Sequence, residues 1–312
     1  VQNDPGFSVH DFLPASIEGS SLGGVLYGLP YDVSNHLPYY NKQMFAQQGL
    51  AEPGNWTWDE LIDTAKKLTL DHDGDGNIDV YGLGLDAAEW HWPSILAQFD
   101  IELFSEDGSK LYATSPEFVD FMEWYYSLIH VEGIAPYDAG GINRFASQGV
   151  AIAHFGPWYR PGLEILESKF DYDIAYPPIG DRQGTIYYVD QFAISSFTNH
   201  PEEAWELLKF IAGPEAWEIK LSLSSGGRSI PPLREYALSP EFLEYGGLSN
   251  YRFLDAFAYS QRSIAGLPNG KGREFLDIWW PRMWNMWIEP QPVRPILEDI
   301  QRVAEATLGF NQ

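Results

Sequence analysis

Two groups of side chains in this 312-residue sequence have types and spacing suited to chemistry. The first is Asp71-His72-Asp73-Gly74-Asp75-Gly76-Asn77-Ile78-Asp79. With Asp71 as the first position, the acids Asp71, Asp73, Asp75 and Asp79 follow the spacing of an EF-hand-like calcium loop, and Asn77 offers a carbonyl. Gly76 permits the sharp turn that lets oxygen ligands converge on a hard cation. The twelfth position, where a bidentate Glu would stand, is Gly82. These five residues are the candidate ligands of a structural Ca2+. The alternative is a solvated acidic turn whose like charges repel.

The second group is aromatic. The chain carries 12 Trp, and an indole face can cover the C–H face of a sugar ring while carboxylates and amides meet the hydroxyls. Trp90, His91 and Trp92 precede Pro93, Trp158 follows Gly156-Pro157, and Trp279, Trp280, Trp284 and Trp287 crowd one late segment. Asp32, Glu89, Asp190, Gln191 and Arg228 lie beside element ends and offer polar contacts. Trp158 is the best placed, because ligand clefts open at strand ends of α/β sheets. For the late-segment Trp residues, core packing on a helix is the better reading.

Other chemistries find little support. There is no GxSxG elbow, no HExxH pair and no GxGxxG after a strand, and residues 266–272 lack the spacing and hydroxyl of a phosphate loop. The seven His are scattered, and Cys is absent, which removes disulfides and thiolate chemistry. The 44 acids leave a glycosidase pair open without singling one out. Against 19 basic residues they give a net charge of −25, which argues against nucleic acid and anionic membrane surfaces. No apolar run approaches the ~20 residues that span a bilayer. Residues 1–21 show no signal-peptide pattern and the first residue is not Met, so processing or truncation is expected. Asn55-Trp56-Thr57 is an N-x-T pattern, but Thr57 is better explained as a helix cap.

The elements that must position these groups alternate. Val25 to Pro30 and His36 to Tyr40 read as strands, with a helix opening at Asn41. Thr57-Trp58-Asp59-Glu60 is a capping box for a helix carrying Leu61, Ala65 and Leu68. Ser115 starts another, with Phe118, Phe121, Met122 and Tyr125 on one stripe. Val150 to Phe155 is an apolar strand that Gly156-Pro157 hands to a helix. Tyr172 to Tyr176 and Phe192 to Ser195 read as strands, Pro201 opens a helix, and the chain from Pro214 onward reads as helical. This alternation is α/β.

Several segments together resemble the sugar-type extracellular solute-binding proteins of ATP-binding cassette importers, the family of maltose-binding protein. They are Val25 to Asp32, Tyr39-Tyr40-Asn41-Lys42, Thr57 to Leu61, Ala65 to Thr69, Tyr81-Gly82, Val150-Ala151-Ile152 with Gly156-Pro157-Trp158, Phe192 to Ser195, and His200 to Trp205 with Leu208 to Ile211. The resemblance runs from about Val25 onward. It implies a two-lobed periplasmic-binding-protein-like fold, with residues 1–32 and 191–234 in the first lobe and 33–190 and 235–312 in the second. It also implies that an N-terminal part of the first lobe is missing ahead of Val1. By the same resemblance, Trp158 stacks on sugar, Glu89 to Trp92 form an aromatic contact segment, Trp279 or Trp280 is a late stacking residue, and Asp32 lies where the chain crosses between lobes.

The function this implies is a non-enzymatic carbohydrate receptor outside the cytoplasm, needing no cofactor and delivering ligand to membrane permease subunits. Two rivals stay open: an acidic carbohydrate-active hydrolase, and the same fold taking a cationic or other small solute.

Overall fold

The computed structural model describes residues 4, 6–85, 91–136, 141–160, 163, 170–223 and 229–310. Its larger body is built on a four-stranded sheet of β2 (Leu37–Asn41), β3 (Tyr81–Gly84), β4 (Val150–Phe155) and β5 (Tyr172–Ile174), in the order β3-β4-β2-β5. The β3 and β4 strands are parallel, and the other two pairs are antiparallel. All six residues of β4 are buried, as its unbroken apolar run requires of a central strand covered on both faces.

Helices start where side chains supply the missing backbone partners. Thr57 Oγ1 accepts from the Glu60 N–H, and Glu60 Oε2 accepts from the Thr57 N–H at 2.8 Å. This closes both ends of the box that begins α1 (Trp58–Leu68), which buries Leu61, Ala65 and Leu68. Ser115 caps α2 (Pro116–His130) by accepting from the Phe118 N–H alone, and Asn41 caps the short helix Lys42–Gln47 by accepting from the Met44 N–H. Gly82 is fixed by close approach: a Cβ there would sit 2.0 Å from the Ala65 carbonyl oxygen of α1.

A second sheet runs β1 (Leu29–Asn35), β6 (Thr185–Phe192) and β7 (Ser260–Arg262), in the order β1-β6-β7. The first two strands pair antiparallel, with Asp32 opposite Asp190 and a bulge between Pro30 and Asp32. Ile230 bridges the other side of Val33, so three separate chain segments run together here. Beyond them, α3 (Pro201–Ala212) and α4 (Pro214–Ser222) contribute to two small cores, one around Leu29, Leu208 and Ala212, the other around Phe12, Trp217 and Leu233. The large core joins α1, α2, α5 (Gly272–Ile288) and α6 (Val293–Leu308).

Three expectations are corrected. The strand expected at Phe192 to Ser195 is the longer Thr185–Phe192, ending where the other was to start. Its last three residues are exposed and two of them, Asp190 and Gln191, are polar, so hydrophobic pattern marks its end poorly. Pro30 does not close a strand; it lies inside β1 beside the bulge, where a missing N–H is tolerated. The region after Pro214 is not wholly helical, since β7 adds to the sheet there.

Candidate functional site

A cavity of about 410 Å³ opens beside the paired strands, lined by Tyr31, Asp32, Ser34, Trp158, Asp190, Lys220, Leu223 and Ser229. Three residues named from sequence, Asp32, Trp158 and Asp190, meet in it. A larger hollow of about 640 Å³ lies between residues 6–12, α3, α4 and residues 233–236. It holds none of the residues named from sequence and no Trp, so the smaller cavity, with an indole and converging polar groups, is the candidate site.

Each lining side chain is placed for a local reason. Asp32 and Ser34 are two apart on β1 and share a face, while the bulge turns Tyr31 toward the same space. Trp158 sits in the short turn after β4. Its indole occupies the room a side chain at residue 156 would need, because a Cβ on Gly156 would lie 2.4 Å from the indole Nε1. His36 lies behind it, with ring centroids 6.4 Å apart. Two residues further on, buried Arg160 bonds to Asn250 and faces the rings of Phe242, Tyr245 and Phe253, anchoring the turn.

From the opposite side, the Lys220 Nζ lies 3.6 Å from the Tyr31 ring centroid and 3.7 Å from that of Trp217. Burial, and then the neighbouring Asp190 charge, push the Asp32 carboxyl up to about 7, against the opposing pull of Lys220 and a hydrogen bond to Ser229. Such a surface offers aromatic faces, acceptors, hydroxyls and, among the described residues, one cation.

Other expected site residues go elsewhere. Trp92 and Trp279 are corrected: both are fully buried and stack on each other at 4.4 Å in the large core, leaving no face for a ligand. Trp280 is half-buried against the same core and beside Trp284, outside the cavity. Gln191, the neighbour of Asp190 on β6, lies outside this cavity, at a hollow with Gly19, Tyr27 and Arg262. Glu89, Trp90 and Arg228 lie outside the described residues. Sequence reasoning missed Tyr31, Ser34, Lys220, Leu223 and Ser229. Ser34 was recoverable from period-two alternation with Asp32, whereas Lys220 is brought in only by tertiary packing of α4.

In the acidic loop, carboxylate oxygens of Asp71, Asp73 and Asp79 lie within 4.8 Å of one another. Asp75 does not join them: its carboxylate accepts from the Asn77 backbone N–H and side-chain amide. Asp71 accepts from the N–H groups of Gly74 and Gly76, and Asp79 from that of His72. Gly74 and Gly76 take left-handed conformations, with φ of 77° and 90°. The twelfth position, Gly82, is committed to β3 against Ala65.

Comparison with known proteins decides the family. The model of the bacterial extracellular solute-binding protein family matches residues 5–249. The chain belongs to that family. A binding protein of Brucella abortus is 25% identical over 309 residues, covering 95% of this chain and 71% of its own. An ABC substrate-binding protein from Listeria monocytogenes, solved with cycloalternan, superposes with a TM-score of 0.85 at 18% identity, over 99% of this chain and 79% of that one. A solute-binding protein from Thermotoga lettingae, bound to α-D-tagatose, gives 0.79 at 20% identity, over 97% and 78%. These likenesses establish the two-lobed periplasmic-binding-protein-like fold for the solute-binding protein described here.

Proposed function

We propose that this chain is the carbohydrate-binding component of an ABC importer, holding a mono- or oligosaccharide against Trp158 and delivering it to permease subunits outside the cytoplasm. The observation that carries the reading is the convergence of the Trp158 indole with Asp32, Ser34, Asp190 and Lys220 around one cavity. The bound cycloalternan and tagatose of the two structural neighbours support the ligand class. The proposal takes residues 1–32 and 191–234 as one lobe and 33–190 and 235–312 as the other, with ligand favouring a closed arrangement through contacts made to both. No covalent step is involved, so ligand leaves unchanged.

A thermal-shift screen of neutral mono- and oligosaccharides tests this. At least one sugar should raise the melting temperature in a concentration-dependent way. Release of chromophore from an aryl glycoside would instead identify a hydrolase. A second reading, a cationic solute, is favoured by the two carboxylates in the cavity and opposed by Lys220; stabilisation by polyamines but by no sugar would select it.

A further inference from the structure

Asp32 and Asp190 are direct cross-strand partners, and both line the candidate cavity. Opposed on neighbouring strands, their side chains leave the same face of the sheet with Cβ atoms about 4.5–5.5 Å apart. Two carboxyl groups can share a hydrogen bond only if a proton lies on one of them, because ionised carboxylates are acceptors alone. Among the described residues, the titratable and charged groups facing the pair are Lys220 from α4 and Tyr31 from the pair's own sheet. With one proton retained, the pair carries one negative charge and Lys220 balances it. Once the proton leaves, the pair carries two negative charges and Asp32 has nothing left to donate.

Resting on the carbohydrate reading, we propose that Asp32 and Asp190 work as one proton-holding unit of the binding site, so that a neutral polyhydroxylated ligand binds the singly protonated pair and is lost as the proton leaves. In that state the carboxylic acid donates to a ligand oxygen and the carboxylate accepts from a neighbouring hydroxyl, a match to the mixed donor and acceptor character of a sugar edge. Doubly ionised, the pair can only accept, and it favours a cation over a sugar. Burial and mutual repulsion place the loss of the proton in the neutral range.

The test has a ligand-free arm and a ligand arm. Infrared difference spectra of the ligand-free protein between about pH 5.5 and about pH 8.5 should show a protonated-carboxyl band that disappears at the upper end. Asp32→Asn should lack the band, and Asp190→Asn should move its loss to lower pH. No such band in wild type overturns the proposal, whatever the ligand. In calorimetric titrations with cycloalternan or α-D-tagatose, wild-type affinity should fall by about tenfold per pH unit above neutrality, with proton uptake visible as a dependence on buffer ionisation heat. Asp32→Asn should give a pH-independent affinity. A flat wild-type profile, or a slope kept by Asp32→Asn, overturns the coupling. A carboxyl band without sugar binding at the acid end sinks the carbohydrate reading and leaves the shared proton standing.

Discussion

The indole of Trp279 on α5 stacks on that of Trp92 at 4.4 Å, with an interplanar angle of 24°, and both rings are fully buried. Phe118 approaches both edge-on, so this aromatic group ties α2 and α5 to the segment that begins at His91. Its role is stability. Trp279→Ala should cost about 3–5 kcal/mol in denaturant unfolding, the usual cost of emptying a large aromatic site, while affinity of the folded fraction stays near that of wild type. A selective loss of affinity with stability intact would return Trp279 to the binding site.

The opposite pattern is expected at Trp158. Its half-buried ring has one face toward the cavity, so Trp158→Ala should weaken ligand binding by about 1–3 kcal/mol with a small change in melting temperature. Gly156→Ala provides a partner experiment. The new methyl would meet the indole nitrogen and displace the ring, and affinity should fall although no ligand contact is removed. Tryptophan fluorescence titration reads both variants.

Acid stability should be set by two buried histidines. His91 shares a hydrogen bond with the Tyr125 hydroxyl at 2.8 Å, while its Nε2 and both ring nitrogens of His154 find no partner among the described residues. Burial, followed by the neighbouring His36, pushes His154 down to about 3. Burial, and then His154 and His36, hold His91 well below the usual range. The unfolded chain therefore binds more protons than the folded one below about pH 6.5, and stability falls as pH drops through that value toward His154's folded range. Each histidine contributes a slope of about 1.4 kcal/mol per pH unit there. His154→Leu should flatten the melting-temperature profile between about pH 6 and about pH 4.5. An unchanged slope would show that these rings are not the groups that titrate.

At the alkaline side the sign reverses for Asp32. Its carboxyl is raised to about 7, so between the ordinary carboxylate range and neutrality the folded state holds the extra proton, and stability falls as pH rises through that window. Asp32→Asn removes the ionisation. At about pH 8 it should melt above wild type, and near pH 4, where the wild-type carboxyl is already protonated, the difference should shrink. A variant that melts below wild type at about pH 8 would contradict this.

Much of the fold was legible because local signals and tertiary outcome agree. Thr57 with Glu60, Ser115 and Asn41 cap the helices that their sequences announce, and the apolar run Val150 to Phe155 is a buried central strand. The site was legible where a backbone signal pointed to it: Gly156-Pro157 ends a strand and delivers Trp158. It was illegible where residue type alone was the guide. Trp92 and Trp158 are the same side chain, and only packing distinguishes a core ring from an accessible one. Asp190 and Gln191 are adjacent, so the alternation of β6 sends them to opposite sides once its register is known. Lys220 enters the cavity from a helix far along the chain, and nothing near it in sequence marks it.

The account turns on a sugar lying against one indole. Calorimetric titration of wild type and Trp158→Ala with the same saccharide, at about pH 6 where the Asp32 carboxyl keeps its proton, probes that contact directly. One molecule bound per chain in wild type, with markedly weaker binding in the variant, is the predicted result. Equal affinity in two folded proteins would contradict it.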